Sequence, residues 1–205
     1  EGVKLAREAV KAGQTPVTLA DHSDRSGAAT WLLREIIEQK LSNTLIGTIA
    51  DEQLIETLRA KGVKPGDAFD MMVGGRLDVS AGDPVRVVGT VHALSGGRGN
   101  TAGGQLWVHV AFGDGNLLVI SPYLHQIRTP EEFQDIGINA DDFDVIAIKS
   151  RVHFRRGFHD TGYSPTILLV EPEQPFLGTV KLEGLDYQFL NLEDFYPFGK
   201  DVTYP

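Results

Sequence analysis

Two short polar stretches contain the side chains that could do chemistry in this chain. The first follows a short apolar run and contributes Asp21, His22, Asp24, Arg25 and Ser26. Aspartate and histidine are zinc ligands, and carboxylates also suit harder metal ions. Three neighbouring ligands in one loop seldom complete a site, however, so a metal would need a distant fourth ligand. Asp and Ser equally favour a loop in which their side chains bind local backbone amides.

The second stretch, Ser150 to Arg156, is the one dense basic region in an acidic chain. Arg151 and His153 could bind a carboxylate or a carbonyl of a ligand, since arginine recognises such groups with two parallel hydrogen bonds. The alternative is that these arginines pair with surplus surface acids, which contributes little. We favour ligand binding for Arg151 and His153, and surface pairing for Arg155 and Arg156.

Buried strands should position both stretches. Apolar runs at 16–20 and 144–149 precede them, and similar runs at 44–50 and 166–170 predict further strands. In open α/β sheets, ligands bind at the carboxyl ends of parallel strands. We therefore expect the two polar stretches to face each other across one edge of the sheet.

Helical patterns alternate with these strands. Residues 2–12 predict a helix that Gly13 closes, and residues 27–40 predict a second helix with Ser26 as its N-cap. Asp51 should cap a third helix. Thr129 is the predicted N-cap of a fourth, with Glu132 closing a capping box. This β-α-β-α order predicts a parallel sheet with right-handed crossovers.

Residues 67–120 instead show strand patterns with no helical period, and Gly113-Asp114-Gly115 reads as a hairpin turn. The predicted fold class is therefore α/β: a mixed sheet with flanking helices, in three layers, with an inserted antiparallel β meander at about 67–120. We expect one domain over 1–175. Residues 176–205, rich in aromatics, Pro and acids, should form an extended wrapping segment.

Other candidate motifs are weaker. The glycine-rich stretch 96–104 lacks the Gly-Lys-Ser/Thr of a phosphate loop and precedes a strand, so we expect a long hairpin loop. His92 and His109 flank it and could form a metal pair, although an exposed cross-strand pair is the better interpretation. His125 and His159 have no partner that the sequence identifies.

Composition excludes several classes of function. The chain has 205 residues with 19 basic and 28 acidic side chains, a formal net charge of −9, which argues against nucleic acid as a partner. It has no cysteine, which fits a reducing compartment, and we expect a cytoplasmic protein. No apolar run approaches a membrane span, so we expect no membrane association. The chain starts with Glu1 inside a helical pattern, and we expect it to be part of a longer protein.

Several segments resemble the C-terminal domain of the MlrC-like (microcystinase C) metallopeptidase family. Ala20 to Gly27, followed by Thr30 and Leu32-Leu33-Arg34, is similar to that domain's opening loop. Ile148 to Arg155, with Phe158 following, resembles its Lys-Ser-Arg-x-His-Phe-Arg segment. Phe133 and Gly137-Ile138-Asn139 fit its x-Phe-x-x-x-Gly-Ile segment. The sequence departs from the common pattern at Asp24-Arg25-Ser26-Gly27, where many members have Asp-Asn-Pro-Gly and a longer insert.

The resemblance implies a zinc-dependent peptidase or amidohydrolase whose zinc ligands lie in an N-terminal domain outside this chain. Zinc would then belong to the full-length protein, and this chain alone would bind none and be inactive. Its substrate-binding residues, lining the cleft between the domains, would be Asp21, His22, Asp24, Arg25, Ser26, Ser150, Arg151 and His153. Arg151 would bind a substrate carboxylate or carbonyl, His153 would donate a hydrogen bond, and Asp21 and Asp24 would order their loop. The implied partners are a small peptide or amide substrate and the N-terminal catalytic domain, with homo-oligomers as a further possibility.

Two alternatives stay open at this level. One is a non-enzymatic binding or assembly module that uses the aromatic segment from Phe176 to Tyr204. The other, which has less support, is a self-contained metal hydrolase with Asp21, His22, Asp24 and His153 as its ligands.

Overall fold

A computed structural model describes residues 1–23, 27–77, 81–96 and 105–172. Eight strands form one sheet in the order β3-β4-β5-β6-β2-β7-β1-β8. The strands are β1 Val17–Asp21, β2 Thr44–Ala50, β3 Ala68–Val73, β4 Val85–Gly96, β5 Leu106–Phe112, β6 Asn116–Ser121, β7 Val145–Lys149 and β8 Thr166–Val170. The helices are α1 Gly2–Lys11, α2 Trp31–Glu38, α3 Glu52–Ala60 and α4 Glu131–Gln134. A 3₁₀ turn at Ala140–Asp142 and a π-helical turn at Arg155–His159 complete the described elements.

The fold class predicted from the sequence is confirmed. Strands β6, β2, β7, β1 and β8 run parallel, whereas β3, β4, β5 and β6 form an antiparallel meander. Strand β6 belongs to both halves, because it pairs antiparallel with β5 and parallel with β2. The predicted hairpin turn at 113–115 joins β5 to β6, and the meander is thereby an extension of the same sheet.

The sheet has two separately packed faces. On the helical face, α1, α2 and α3 cover a core that includes Leu19, Ile36 and Ile55. On the opposite face, the segments 123–143 and 154–163 cover a second core that includes Phe133 and Phe158. The central strands are buried on both faces, as expected for parallel strands between two layers. Residues that alternate along one strand therefore enter different cores.

Glycine permits one close approach in the second core. A Cβ atom at Gly47 on β2 would lie 2.5 Å from the Phe133 ring, so only a glycine lets this ring lie against the strand. Phe133 is fully buried there. This contact brings the 125–133 segment down onto the sheet beside the carboxyl end of β2.

The second helix begins at Trp31, which corrects the start predicted at about Gly27. Thr30 precedes it and is tied to a different loop: its hydroxyl donates to the carbonyl oxygens of Ala81, at 3.1 Å, and Asp83, at 2.8 Å. Gly27 adopts a φ of +95°, and its carbonyl accepts from the Ala50 amide. These tertiary hydrogen bonds hold residues 27–30 outside the helix and override their helical propensity.

The capping box predicted at Thr129 also forms differently. The Glu132 carboxylate accepts the backbone amide of Arg128, at 2.7 Å, and pairs with the Arg128 guanidinium. Helix α4 has only four residues. By contrast, Asp51 caps α3 as predicted, because its carboxylate accepts the Leu54 amide at 3.0 Å.

Some predictions fall on residues that the structure does not describe. They concern Asp24, Arg25 and Ser26, most of the glycine-rich loop 96–104, and the wrapping segment 176–205 with its aromatic side chains. No helix among the described residues is both long and apolar enough to span a membrane.

Candidate functional site

The described residues of the two polar stretches meet at the carboxyl ends of neighbouring strands, as predicted. Strands β1 and β7 pair in parallel with Asp21 opposite Lys149, so the loops that follow them leave the sheet side by side. Arg151 Nε donates to the His22 carbonyl oxygen at 3.1 Å and ties one loop to the other. The His22 amide in turn donates to Val170 O, 2.8 Å away at the end of β8. Three strand ends are thus joined at this edge.

A buried ion pair lies on the helical face of this edge. Lys149 Nζ is 2.8 Å from Asp21 Oδ2 and 2.7 Å from the Ala29 carbonyl oxygen. The second carboxylate oxygen of Asp21 accepts from Ser23, at 2.6 Å from the hydroxyl and 3.1 Å from the amide. We call Asp21, Ser23 and Lys149 the ion-pair cluster. Asp21 and Lys149 are each about 1% exposed, and this network of bonds is what allows two charges to be buried there.

The ion-pair cluster does not suit a zinc ion. Both oxygens of Asp21 are already occupied, and an ammonium group lies against one of them. Within the described ranges, moreover, no group of three or more His, Asp or Glu side chains could hold a metal. The described side chains thus offer no zinc site. The Asp21 carboxylate instead orders the start of its own loop, through Ser23.

A second hydrogen-bonded group lies on the opposite face of the same edge. Ser150 Oγ is buried, accepts the Phe154 amide at 3.1 Å and accepts from Gln126 Nε2 at 2.9 Å. The amide oxygen of Gln126 is 2.9 Å from Nδ1 of the exposed His153. We call Gln126, Ser150 and His153 the histidine cluster. It connects a fully buried hydroxyl to an exposed imidazole ring.

Gln126 belongs to a segment that is anchored on both sides. The preceding carbonyl, that of His125, accepts from Thr48 Oγ1 at 2.6 Å, and the following side chain, Ile127, is buried. The His125 ring also packs edge-to-face on the buried Trp107, with centroids 5.0 Å apart, and on Tyr123. This arrangement fixes the backbone from which Gln126 reaches Ser150 and His153.

Sequence reasoning missed two residues of this edge. Gln126 has no chemical signature, and only the fold brings it next to a loop 24 residues further along the chain. Lys149 could have been noticed, because it is a single charged residue in an otherwise apolar strand that the pattern predicts to be buried. Such a lysine needs a buried acid as its partner, and Asp21 ends the other apolar strand in the same way.

The predicted exposed pair of His92 and His109 is wrong for His109. This ring is buried, its Nε2 lies 2.9 Å from Ser95 Oγ, and its Nδ1 has no hydrogen-bond partner within the part of the chain that the structure describes. A bulge between Val91 and Ala93 places His109 opposite Ala93 rather than opposite His92. Burial, and secondarily the charge of His92, lowers the pKa of His109 to about 4. His109 is therefore a neutral core residue at physiological pH.

A cavity of about 320 Å³ borders the ion-pair cluster on the helical face. Its lining includes Asp21, Trp31, Arg34, Glu35 and Val170. Gln126, Arg151 and His153 do not line this cavity. Gln126 and His153 belong to the cluster on the opposite face of the sheet. A groove of about 480 Å³ lies at the far end of the sheet, beside the hairpin turn at 113–115. Neither cavity includes the histidine cluster.

The fold and this edge define a mixed α/β domain in which two polar loops lie side by side at the carboxyl ends of parallel strands. The model of the MlrC C-terminus family matches residues 19–170, and this chain belongs to that family. The match begins at the second residue before Asp21 and ends with β8, so it includes both polar stretches and the meander between them.

Two relatives show how this domain relates to larger proteins. Microcystinase C from Sphingomonas sp. is 27% identical over an alignment of 158 residues, and the alignment covers 73% of this chain and 31% of that protein. A candidate metallopeptidase from Mesorhizobium sp. BNC1 has a solved structure that aligns with a TM-score of 0.65 at 17% identity. That alignment covers 85% of this chain and 36% of the other, and it shows the shared fold. This chain thus spans about one third of the length of the two relatives.

Proposed function

We propose that this chain acts as the C-terminal domain of an MlrC-like zinc-dependent metallopeptidase or amidohydrolase. The zinc ligands would lie in an N-terminal domain outside this chain, and the edge formed by β1 and β7 would line the cleft between the two domains. Three observations support the proposal: the family match, the share of each relative that this chain spans, and the meeting of the two polar loops at one sheet edge.

The observation that carries the proposal is the division of roles at this edge. Asp21 is buried and committed to Lys149 and Ser23, whereas His153 is exposed and Arg151 is half-buried. Binding sites are largely pre-formed and use a few precisely placed polar groups for orientation and specificity, and a loop that is ordered from within can supply such groups. In this proposal Arg151 binds a carboxylate or carbonyl of the substrate, His22 and His153 lie at the same surface, and the buried Ser150 supports them from beneath. Asp24, Arg25 and Ser26, which lie outside the described residues, keep the substrate-binding role expected from the sequence.

The first test is the metal content of the purified chain. We expect no stoichiometric zinc, because the described carboxylates and imidazoles do not converge on one point. Zinc that co-purifies at one ion per chain, and is lost in Asp21→Asn or His153→Asn, would instead establish the self-contained metal site and overturn the proposal.

The second test uses the full-length protein that contains this chain. Arg151→Gln removes one positive charge from the edge, and Arg156→Gln removes one from an exposed position nearby. We expect Arg151→Gln to raise KM about tenfold, the equivalent of ~1.4 kcal/mol, with unchanged zinc content and little change in kcat. Arg156→Gln should leave all three unchanged. An unchanged KM in Arg151→Gln, or lost zinc, would contradict a substrate-binding role for this edge.

A further inference from the structure

Among the described residues, the histidine cluster binds the His153 ring at one nitrogen, Nδ1. Gln126 Oε1 lies 2.9 Å from His153 Nδ1, and no described residue forms a hydrogen bond with His153 Nε2. An amide oxygen can only accept a hydrogen bond. In the neutral ring the proton therefore resides on Nδ1, and Nε2 carries the lone pair.

The Gln126 amide links His153 to a buried hydroxyl. Gln126 Nε2 is 2.9 Å from Ser150 Oγ, to which it donates, and this leaves Oε1 directed at His153. Ser150 is fully buried and accepts the Phe154 amide, a hydrogen bond that closes the turn containing His153. A chain of hydrogen bonds thus runs from the Phe154 amide through Ser150 and Gln126 to the imidazole of His153.

The segment that presents Gln126 is rigidly anchored. The hydrogen bond from Thr48 to the His125 carbonyl, at 2.6 Å, and the buried Ile127 hold the backbone on either side. On the other side of the ring, the buried side chains of Phe154 and Phe158 anchor the turn after β7. Both partners of the Gln126–His153 hydrogen bond are consequently fixed by contacts in the second core, although the ring itself is exposed.

We propose that His153 recognises a hydrogen-bond donor of the substrate through Nε2, and that Gln126 and Ser150 are positioning residues that set this tautomer. The proposal rests on the proposed function, since it takes the substrate to bind at this edge. It replaces the hydrogen-bond donor role that the resemblance implied for His153. Arg151, which can only donate, and His153 Nε2, which accepts, are complementary to a ligand with an oxygen acceptor and an N–H donor close together. A peptide or amide has both groups.

The tautomer can be measured without activity. In the chain labelled with ¹⁵N-histidine, long-range proton–nitrogen correlation spectra distinguish Nδ1–H from Nε2–H, and His153→Asn identifies the His153 signals. We expect the Nδ1–H tautomer, and we expect Gln126→Leu to convert most of it to the Nε2–H form. An Nε2–H tautomer in the unmodified chain would mean that the amide has the opposite orientation and would overturn the proposal. A tautomer that Gln126→Leu does not change would also overturn it.

Kinetics in the full-length enzyme test recognition itself. A short peptide is compared with its depsipeptide analogue, in which an ester oxygen replaces one amide N–H. His153→Asn is the informative variant because its side-chain amide can still donate to Gln126 but has no atom at the Nε2 position. We expect a rise in KM of about tenfold for the peptide and none for the analogue that lacks the contacted N–H. Equal effects on both substrates, or none on either, would refute the role of Nε2.

The two proposals fail in different ways. If the edge does not bind substrate, neither Arg151→Gln nor His153→Asn changes KM, whatever the tautomer. If the edge binds substrate but Nε2 is not an acceptor, Arg151→Gln still raises KM. In that case either the spectra show the Nε2–H tautomer, or His153→Asn changes the KM values of the peptide and the depsipeptide equally.

Discussion

The ion-pair cluster and the histidine cluster lie on opposite faces of one sheet edge, and they differ in what surrounds them. Lys149 and Ser150 are neighbours in sequence, yet one side chain reaches Ala29 below α2 and the other reaches Gln126 in the opposite layer. The ion-pair cluster is closed, since its charges contact each other and are about 1% exposed. The histidine cluster is open, since it ends in an exposed ring.

This difference separates residues that hold the edge from residues that can touch a ligand. The period of two along β7 places the ion pair among the helices, where it joins two strand ends. The same alternation directs Ser150 to the other layer. If the comparison is right, changes to the ion-pair cluster should affect stability, and changes at the tip of the histidine cluster should affect only recognition.

The largest expected effect is that of Lys149→Met. This substitution keeps most of the side-chain volume but leaves the buried Asp21 carboxylate without its cation. Removing one partner of a buried pair costs about 3–5 kcal/mol in free energy of unfolding. Urea denaturation followed by circular dichroism measures this loss.

The control is the double variant Lys149→Met with Asp21→Leu. It removes both charges, and we expect it to be less destabilised than Lys149→Met alone, because no uncompensated carboxylate remains. If Lys149→Met unfolds at the same urea concentration as the unmodified chain, the ion pair does not hold this edge.

A second prediction tests whether burial, rather than the face of the sheet on which the ring lies, determines the protonation of a histidine. The side chain of His109 on β5 faces the same side of the sheet as Gln126 but is buried, and burial lowers its pKa from 6.5 to about 4. Between these two values the unfolded chain binds a proton that the folded chain does not. Stability is therefore greatest above about pH 6.5 and is lost as the pH falls towards 4, by up to about 3 kcal/mol from this group.

The measurement is the free energy of unfolding as a function of pH, for the unmodified chain and for His109→Gln. The variant can keep a hydrogen bond to Ser95 but does not titrate. We expect its stability to fall less steeply between pH 6.5 and 4. Parallel pH profiles would show that His109 is not a neutral buried group.

The sequence predicted the strands of the parallel half because nearly continuous apolar runs in this length range have few other interpretations. It also predicted that the loops after β1 and β7 meet, since this follows from parallel pairing. The sequence did not predict features that depend on hydrogen bonds between distant residues. The bonds of Thr30 hold residues 27–30 outside α2. Gln126 joins the site through a bond to Ser150, 24 residues further along the chain. Nor could residue types show that Asp21, a candidate ligand by its chemistry, is buried against Lys149.

A third prediction tests the buried end of the histidine cluster. Ser150→Ala leaves the Phe154 amide without its acceptor in a buried position. An unsatisfied buried donor costs about 1–3 kcal/mol. We expect a loss of stability in this range, measured by urea denaturation, and a change of the His153 tautomer like that in Gln126→Leu. Ser150→Thr, which keeps the hydroxyl, is the matched control and should lose less stability.

The smallest expected effect is at the exposed end. His153→Asn changes an exposed side chain and can keep the hydrogen bond to Gln126, so its free energy of unfolding should stay within about 0.5 kcal/mol of the unmodified chain. The same denaturation experiment measures it beside Lys149→Met and Ser150→Ala. A loss above 1 kcal/mol would mean that the ring supports the turn after β7, and both clusters would then be structural. If the stability is unchanged, the fold positions the His153 ring through Gln126 but does not depend on it. This is expected of a side chain whose role is to recognise a ligand.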